Sequence, residues 1–175
     1  TANAVTAVDA GANALSVTVN GLGERAGNAP LEEVVMALFE IGGYPKEMDL
    51  SQIPRLCRMV ARASGKTISP TKPITGADIF RHESGIHCSG LLKDESSYQL
   101  FKPELIGKRE CEYVNGYHTG TAAIAHVLGR QGIHVSKEKA GELVSLVRKK
   151  ALEQKNALSP EQLREVYLSA EKTTE

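Results

Sequence analysis

The chain has 175 residues with 21 basic and 21 acidic side chains, so its formal net charge is zero. That balance argues against a nucleic-acid or membrane-surface protein, both of which need a basic excess or patch, and no apolar run approaches the roughly 20 residues that span a bilayer. Hydrophobic residues make up 41% and aromatics only 5% with no Trp, so any core must be built mainly from aliphatic side chains.

Ala2 to Ala10 is rich in Ala and Val and reads as a short helix, with Gly11 placed to stop it. Ala14 to Val19 is a β-branched run of strand length. Gly21 to Asn28 is a Gly-rich loop, and Pro30 suits the first turn of a helix carrying Leu31, Val34, Val35, Leu38 and Phe39 on one face. Helix, strand, Gly-rich loop, helix is the rhythm of a parallel α/β fold. One strand cannot satisfy its own backbone groups. The segment 1–43 therefore reads as the tail of a larger barrel, whose other strands lie upstream or on another chain; Thr1 opens directly into a helix with no initiator Met, which Met removal, a cut or proteolysed fragment and a split gene all fit.

The character changes at Tyr44. Tyr44 to Asp49 reads as a linker, and Ser51 is placed to cap a helix with apolar positions Ile53, Leu56, Met59, Val60 and Ala63, stopped at Ser64-Gly65. Ser69 to Pro73 is expected to be extended, because each Pro pushes its predecessor out of the α region. A compact stretch follows from Gly76 to Leu92. Helices are expected over Thr121 to Leu128, Ser136 to Lys155 and Ser159 to Ala170. The last opens with Ser159-Pro160-Glu161-Gln162, a capping box with Pro at the first helical position. The basic run Arg148-Lys149-Lys150 reads as a solvated helix face. The chain thus divides into 1–43, 44–130 and 131–175. The fold class is α/β: a terminal βα piece of a (β/α)8 TIM barrel followed by a mainly helical linker and C-terminal domain.

Cys57, Cys88 and Cys111 form no CxxC pair, which suggests reduced thiols in a cytoplasmic protein. Gly21, Gly23 and Gly27 make neither a GxxxxGK[ST] phosphate loop nor a clean GxGxxG fingerprint. Spacing leaves open a plain βα turn or a ligand loop at a barrel mouth. In the second reading Glu24, Arg25 and Asn28 are the candidates for ligand or metal contact.

The run His82-Glu83-Ser84-Gly85-Ile86-His87-Cys88 invites three readings. A zinc site is disfavoured by spacing: positions five apart turn about 140° around a helix and do not share a face. A capped turn with satisfied histidines is the second. The third is a general acid/base His helped by a nearby phenol, for which Tyr98 is placed.

Two motifs in order carry a family resemblance. Asn20-Gly21-Leu22-Gly23-Glu24-Arg25-Ala26-Gly27-Asn28-Ala29 with Leu31-Glu32-Glu33-Val34-Val35 resembles the last barrel strand, loop and helix of the isopropylmalate/homocitrate/citramalate synthases. Phe80, His82 to His87, Gly90-Leu91-Leu92-Lys93-Asp94 and Tyr98 resemble that family's linker, and Gly116-Tyr117-His118-Thr119-Gly120 stands where it has GKHSG. The resemblance implies a cytoplasmic acyltransferase in which a 2-oxo acid chelates a divalent metal (Mg, Mn or Zn) and condenses with acetyl-CoA before thioester hydrolysis. It implies His87 as catalytic His and Tyr98 as its acid/base partner, Asn28 at or near the metal, and Gly23, Glu24 and Arg25 at the substrate and acyl-CoA loop. His118 would be structural or adjacent to the acyl-CoA. It also implies a barrel-bearing partner portion or subunit, in a homodimer or hetero-oligomer. The wording of the linker motif is close to nitrogen-fixation-type homocitrate synthases, so 2-oxoglutarate is the expected acceptor. Isopropylmalate synthase and a non-catalytic helical partner are the alternatives. The family's Asp-Arg-Glu element, its HxH metal pair and its barrel Glu are not in this chain. Cys88-Ser89 and Tyr117 depart from its pattern, so the chain alone is expected neither to hold metal tightly nor to turn over.

Overall fold

The computed structural model describes residues 1–42, 48–108 and 110–172. Most of the linker expected at 44–49, and Gly43 at the end of the preceding helix, lie outside the described residues. The chain folds as two compact units, Thr1–Ile79 with Lys102–Glu110, and Phe80–Phe101 with Cys111–Glu175.

In the first unit the Ala/Val-rich start forms α1 (Ala2–Asp9), and Gly11 follows at φ +100°. The run Ala14 to Val19 was expected as a strand. It makes only one bridge, parallel, between Thr18 and Pro30. Thr18 alone pairs there, its N–H donating to Ala29 O and its O accepting from Leu31 N–H, and among the described residues the run enters no longer ladder. A 3-10 turn, Val19–Gly21, leads into the Gly-rich loop. Helix α2 (Leu31–Gly42) starts directly after Pro30.

The inward face of α2 differs from the expected one. Val34, Val35 and Met36 are buried, together with Glu32, whereas Leu31, Leu38 and Phe39 are only half-buried. Glu32 turns inward because its carboxylate has partners there. Oε2 accepts the Asn20 N–H at 3.0 Å, and Lys72 Nζ lies 3.1 Å from Oε1.

Asp49 accepts the Ser51 N–H at 3.0 Å and opens a 3-10 turn, Leu50–Gln52. Ser51 is thus a capped residue and not the expected cap of α3 (Ile53–Ser64). Gly65, at φ +68°, ends that helix as expected. The segment Ser69 to Pro73 is turned, not extended. Lys72 N–H donates to Ser69 O at 3.0 Å, and Asp78 N–H donates to Pro70 O at 2.9 Å. Proline restricts its predecessor to β or PPII space, and such residues also enter turns.

The second unit is built on three helices, α5 (Thr121–Gly129), α6 (Lys137–Gln154) and α7 (Pro160–Lys172), each within a residue or two of its expected span. Their facing apolar positions make one core: Ile124, Val127 and Leu128 from α5, Leu143 and Val147 from α6, and Leu163 and Val166 from α7. Each fully buried Leu here contributes about 1.5–3 kcal/mol of apolar transfer. Beside this bundle lie α4 (Gly85–Leu91) and a parallel pair, β1 (Arg81–His82) and β2 (Glu112–Tyr113), with Arg81 opposite Glu112 and His82 opposite Tyr113. The mainly helical composition with a small parallel pair fits the α/β class. No described helix is long and apolar enough to cross a membrane.

Candidate functional site

In the second unit the His82–Tyr98 segment folds as strand, helix and turn. His82 lies in β1 and His87 in α4. The helix forms although Gly85 opens it, and the two histidines are not related by one helical wheel. After α4 the chain reverses: Asp94 N–H donates to Gly90 O at 2.9 Å, and the Asp94 carboxylate accepts the Ser96 N–H at 3.0 Å. This 3-10 turn, Glu95–Ser97, delivers Tyr98 back over α4. The Tyr98 and His87 rings meet with centroids 4.5 Å apart and planes inclined by 45°.

Gly90 makes that return possible. A Cβ at position 90 would stand 2.7 Å from Tyr98 Cε2. Both rings remain accessible, Tyr98 being 48% exposed. An exposed imidazole in contact with an exposed phenol can exchange protons with a bound ligand and donate a hydrogen bond to a developing oxyanion.

The neighbours of His87 have other roles. Cys88 is fully buried, and its thiol donates to His82 O at 3.4 Å. Burial pushes that thiol up, so it stays protonated and stands apart from the reactive surface. Burial, and then the charge of His87, push His82 below the usual imidazole range. Its Nε2 has no hydrogen-bond partner among the described residues.

His118 occupies a turn fixed from two sides. Its N–H donates to Glu83 Oε1 at 2.6 Å, and its ring meets Tyr117 edge-on at 5.1 Å. Buried Thr119 donates to Asn115 Oδ1 at 3.0 Å, while Arg148 of α6 donates to Thr119 O at 2.8 Å. Arg148 is therefore not simply part of a solvated basic face. Nothing in its sequence context signals this contact, which depends on α6 lying beside the turn. Ser84, Ser89, Tyr117, His118, Thr121 and Arg148 line an open cleft of about 650 Å³.

In the first unit the Gly-rich loop closes on itself. Gly27 N–H donates to Glu24 O at 2.8 Å, Asn28 N–H to Gly21 O at 3.0 Å, and Asn28 Nδ2 to Leu22 O at 3.0 Å. Gly27, at φ +81°, and Arg25, at φ +53°, supply the left-handed residues this closure needs. Glu24, Arg25 and Asn28 are exposed, and Gly23 packs against the Asn28 side chain. Asn20, Gly23, Arg25, Ser64, Lys66 and Lys72 line a cleft of about 240 Å³.

Beneath the cleft runs a polar network that sequence reasoning missed. Asn20 Nδ2 donates to Cys57 O at 2.8 Å, and Lys72 bridges Glu32 and Glu33 at 3.1 Å and 2.8 Å. Burial and then the Glu32 charge push the Cys57 thiol up to about 12. No pair in this network is close in sequence apart from Glu32 and Glu33, so no local pattern marks it.

The expected site residues thus fall into two groups: His87, Tyr98 and His118 in one unit, and Gly23, Glu24, Arg25 and Asn28 in the other. Among the described residues no three His, Cys, Asp or Glu side chains group as metal ligands. Asn28 offers one neutral oxygen, its amide nitrogen being committed to Leu22. That donor set does not make a divalent-metal centre by itself.

Residues 1–60 match the family described as HMGL-like, and residues 74–155 match the homocitrate synthase post-HMGL domain-like family. The first match contains the Gly-rich loop, and the second contains both the His82–Tyr98 segment and the His118 turn. The chain is 44% identical over 95% of its length to 2-isopropylmalate synthase 2 of Caldanaerobacter subterraneus subsp. tengcongensis. It is 41% identical over 93% to homocitrate synthase 1 of a Nostoc species, and 41% identical over 97% to 2-phosphonomethylmalate synthase of Streptomyces rubellomurinus. The chain belongs to the isopropylmalate, homocitrate and citramalate synthase family. It covers 43% of the length of the first two of these relatives and 45% of the third. These relatives are named for different products at nearly equal identity, so identity alone does not select one acceptor.

Proposed function

We propose that this chain supplies the acid/base pair of a synthase that condenses acetyl-CoA with a 2-oxo acid, and that the acceptor is 2-oxoglutarate, giving homocitrate. The observation that supports this reading is the contact of His87 and Tyr98 at 4.5 Å within the family's linker motif. In the reaction a methyl proton leaves acetyl-CoA, and the resulting carbon nucleophile forms a bond to the ketone carbon. The new alkoxide takes a proton, and water then cleaves the thioester to release CoA thiol. His87 takes and returns a proton at its imidazole nitrogen, and the Tyr98 hydroxyl donates to the oxygen on which charge develops. Glu24 and Arg25, exposed on a closed loop, organise the acyl-CoA side. A divalent metal, which the resemblance implies, would polarise the ketone of the 2-oxo acid, and Asn28 would offer it one amide oxygen.

The second reading keeps 2-oxoisovalerate as the acceptor, a 2-isopropylmalate synthase being among the relatives of this chain. The test is reconstitution with the barrel-bearing portion of a relative, following CoA thiol release with 2-oxoglutarate, 2-oxoisovalerate and pyruvate in turn. Fastest release with 2-oxoglutarate is expected. Preference for 2-oxoisovalerate replaces the homocitrate assignment, and release with none of the three refutes the catalytic reading in favour of a non-catalytic partner.

A further inference from the structure

Glu83 is a charged residue on the chain between β1 and α4, and its side chain does not point freely into water. Its Oε1 accepts the His118 N–H at 2.6 Å, and a hydrogen bond to an ionised carboxylate is stronger than one between neutral groups. A Cβ on Gly116 would stand 2.5 Å from Oε1, 2.7 Å from Cδ and 3.0 Å from Oε2. The carboxylate therefore fills the space above Gly116, in the turn closed by Thr119 N–H donating to Gly116 O. Gly116 is not among the positive-φ glycines. It is needed there for room, not for conformational freedom.

A second tie lies two residues on. Gly85 opens α4 directly against Gly120, the N-cap of α5, where a Cβ on Gly120 would stand 2.7 Å from Gly85 Cα. The N-cap of α4, Ser84, makes no side-chain cap hydrogen bond. A helix of this length does not hold itself in water. Its start is fixed from outside, by Glu83 in the Gly116–Thr119 turn and by the Gly85–Gly120 contact. His87 sits within the first turn of that helix.

We propose that Glu83 is a positioning residue for His87: by locking its carboxylate into the turn that carries His118, it sets the start of α4 and so the placement of the His87 ring against Tyr98. The positioning stands on this geometry; its consequence for turnover rests on the reading of His87 and Tyr98 as the acid/base pair.

The test is a mutant cycle on the full chain: Glu83→Ala, Gly116→Ala and the double variant, with Glu83→Gln as the conservative control. Gly116→Ala would evict the carboxylate without substituting any residue of α4 or of the chain leading into it. Proton–proton NOEs between the His87 and Tyr98 rings report the contact, and thermal melting reports the fold. The NOEs are expected to vanish in both single Ala variants, with no further change in the double. They are expected to persist in Glu83→Gln, whose amide oxygen still accepts the His118 N–H. With the barrel-bearing portion added, Glu83→Ala and Gly116→Ala should lower kcat by about tenfold to a hundredfold, as small misplacements of reacting groups do. KM for acetyl-CoA should change little, and Glu83→Gln should restore kcat. NOEs that persist in Glu83→Ala or in Gly116→Ala overturn the proposal, and if one of these variants fails to fold the other decides. NOEs lost with turnover unchanged would leave the positioning intact and remove the catalytic reading of His87 and Tyr98.

Discussion

Gly90→Ala separates stability from site geometry. The new Cβ would lie 2.7 Å from Tyr98 Cε2 and 3.3 Å from Cδ2. Carbon atoms in contact sit about 3.5–4.0 Å apart, so the ring must recede by about 1 Å. Tyr98 is 48% exposed, which lets it swing outward at a rotamer cost of about 0.5–1.5 kcal/mol. Against this, Ala in place of Gly within a helix gains up to about 1 kcal/mol. The two terms nearly cancel, and the net change in unfolding free energy should stay within about 1 kcal/mol of zero. The ring contact with His87 has no such compensation. Urea melts, ring-proton NOEs and turnover with the barrel-bearing portion should show a stable chain, a lost His87–Tyr98 contact and a kcat lower by about tenfold or more. Retention of the NOEs at full activity would refute the steric reasoning. A stability loss above about 2 kcal/mol would show that the ring cannot recede.

Other predictions follow from the same structure. Within α6, Leu143 is fully buried and Leu152 is 64% exposed. Leu143→Ala should therefore cost about 2–5 kcal/mol in urea unfolding and Leu152→Ala less than about 0.5 kcal/mol; equal effects would contradict the packing described. Ser159→Ala removes an N-cap oxygen that accepts the Gln162 N–H at 3.2 Å and should cost about 1 kcal/mol, read as a lower urea midpoint. For Glu33, burial raises the carboxyl, but hydrogen bonds from Lys72 and Thr1 outweigh it and hold it below the ordinary 4.5. For Lys72, burial lowers the ammonium, but hydrogen bonds to Glu33 and Glu32 outweigh it and hold it above 10.5. The Glu33 contribution to stability is then present above pH 4.5 and lost as pH falls through its depressed folded value. The Lys72 contribution is present below pH 10.5 and lost as pH rises through its elevated one. In a series of Tm against pH, Glu33→Gln should flatten the acid limb, and an unchanged limb would count against the ion pair.

How far the sequence foretold this depends on whether the information was local. The capping box at Ser159 was legible because both partners lie within four residues: Ser159 N–H donates to Gln162 Oε1 at 2.9 Å, and the Gln162 N–H returns to Ser159 Oγ. The spans of α5, α6 and α7 were legible for the same reason, each carrying its own apolar stripe. Helix α4 was not, since Gly85 and Gly90 both argue against a helix. Their reasons lie elsewhere in the chain, in Gly120 and in the Tyr98 ring. The Ala14–Val19 run shows the opposite error: its composition says strand, but a strand exists only through a neighbour. The burial of Glu32 has no local signal, because its partners Asn20 and Lys72 come from distant segments. Of the candidate site, His87 and Tyr98 were legible as types in a motif. Their contact, and the Glu83, Gly116 and Gly120 geometry behind it, belong to the fold.

The most direct test of the proposed acid/base role compares wild type, His87→Ala and Tyr98→Phe, each reconstituted with the barrel-bearing portion and assayed for CoA thiol release from acetyl-CoA and the preferred 2-oxo acid. Loss of a positioned general acid or base should lower kcat by about 10²–10⁴-fold in each variant. Equal rates in all three chains would contradict the account.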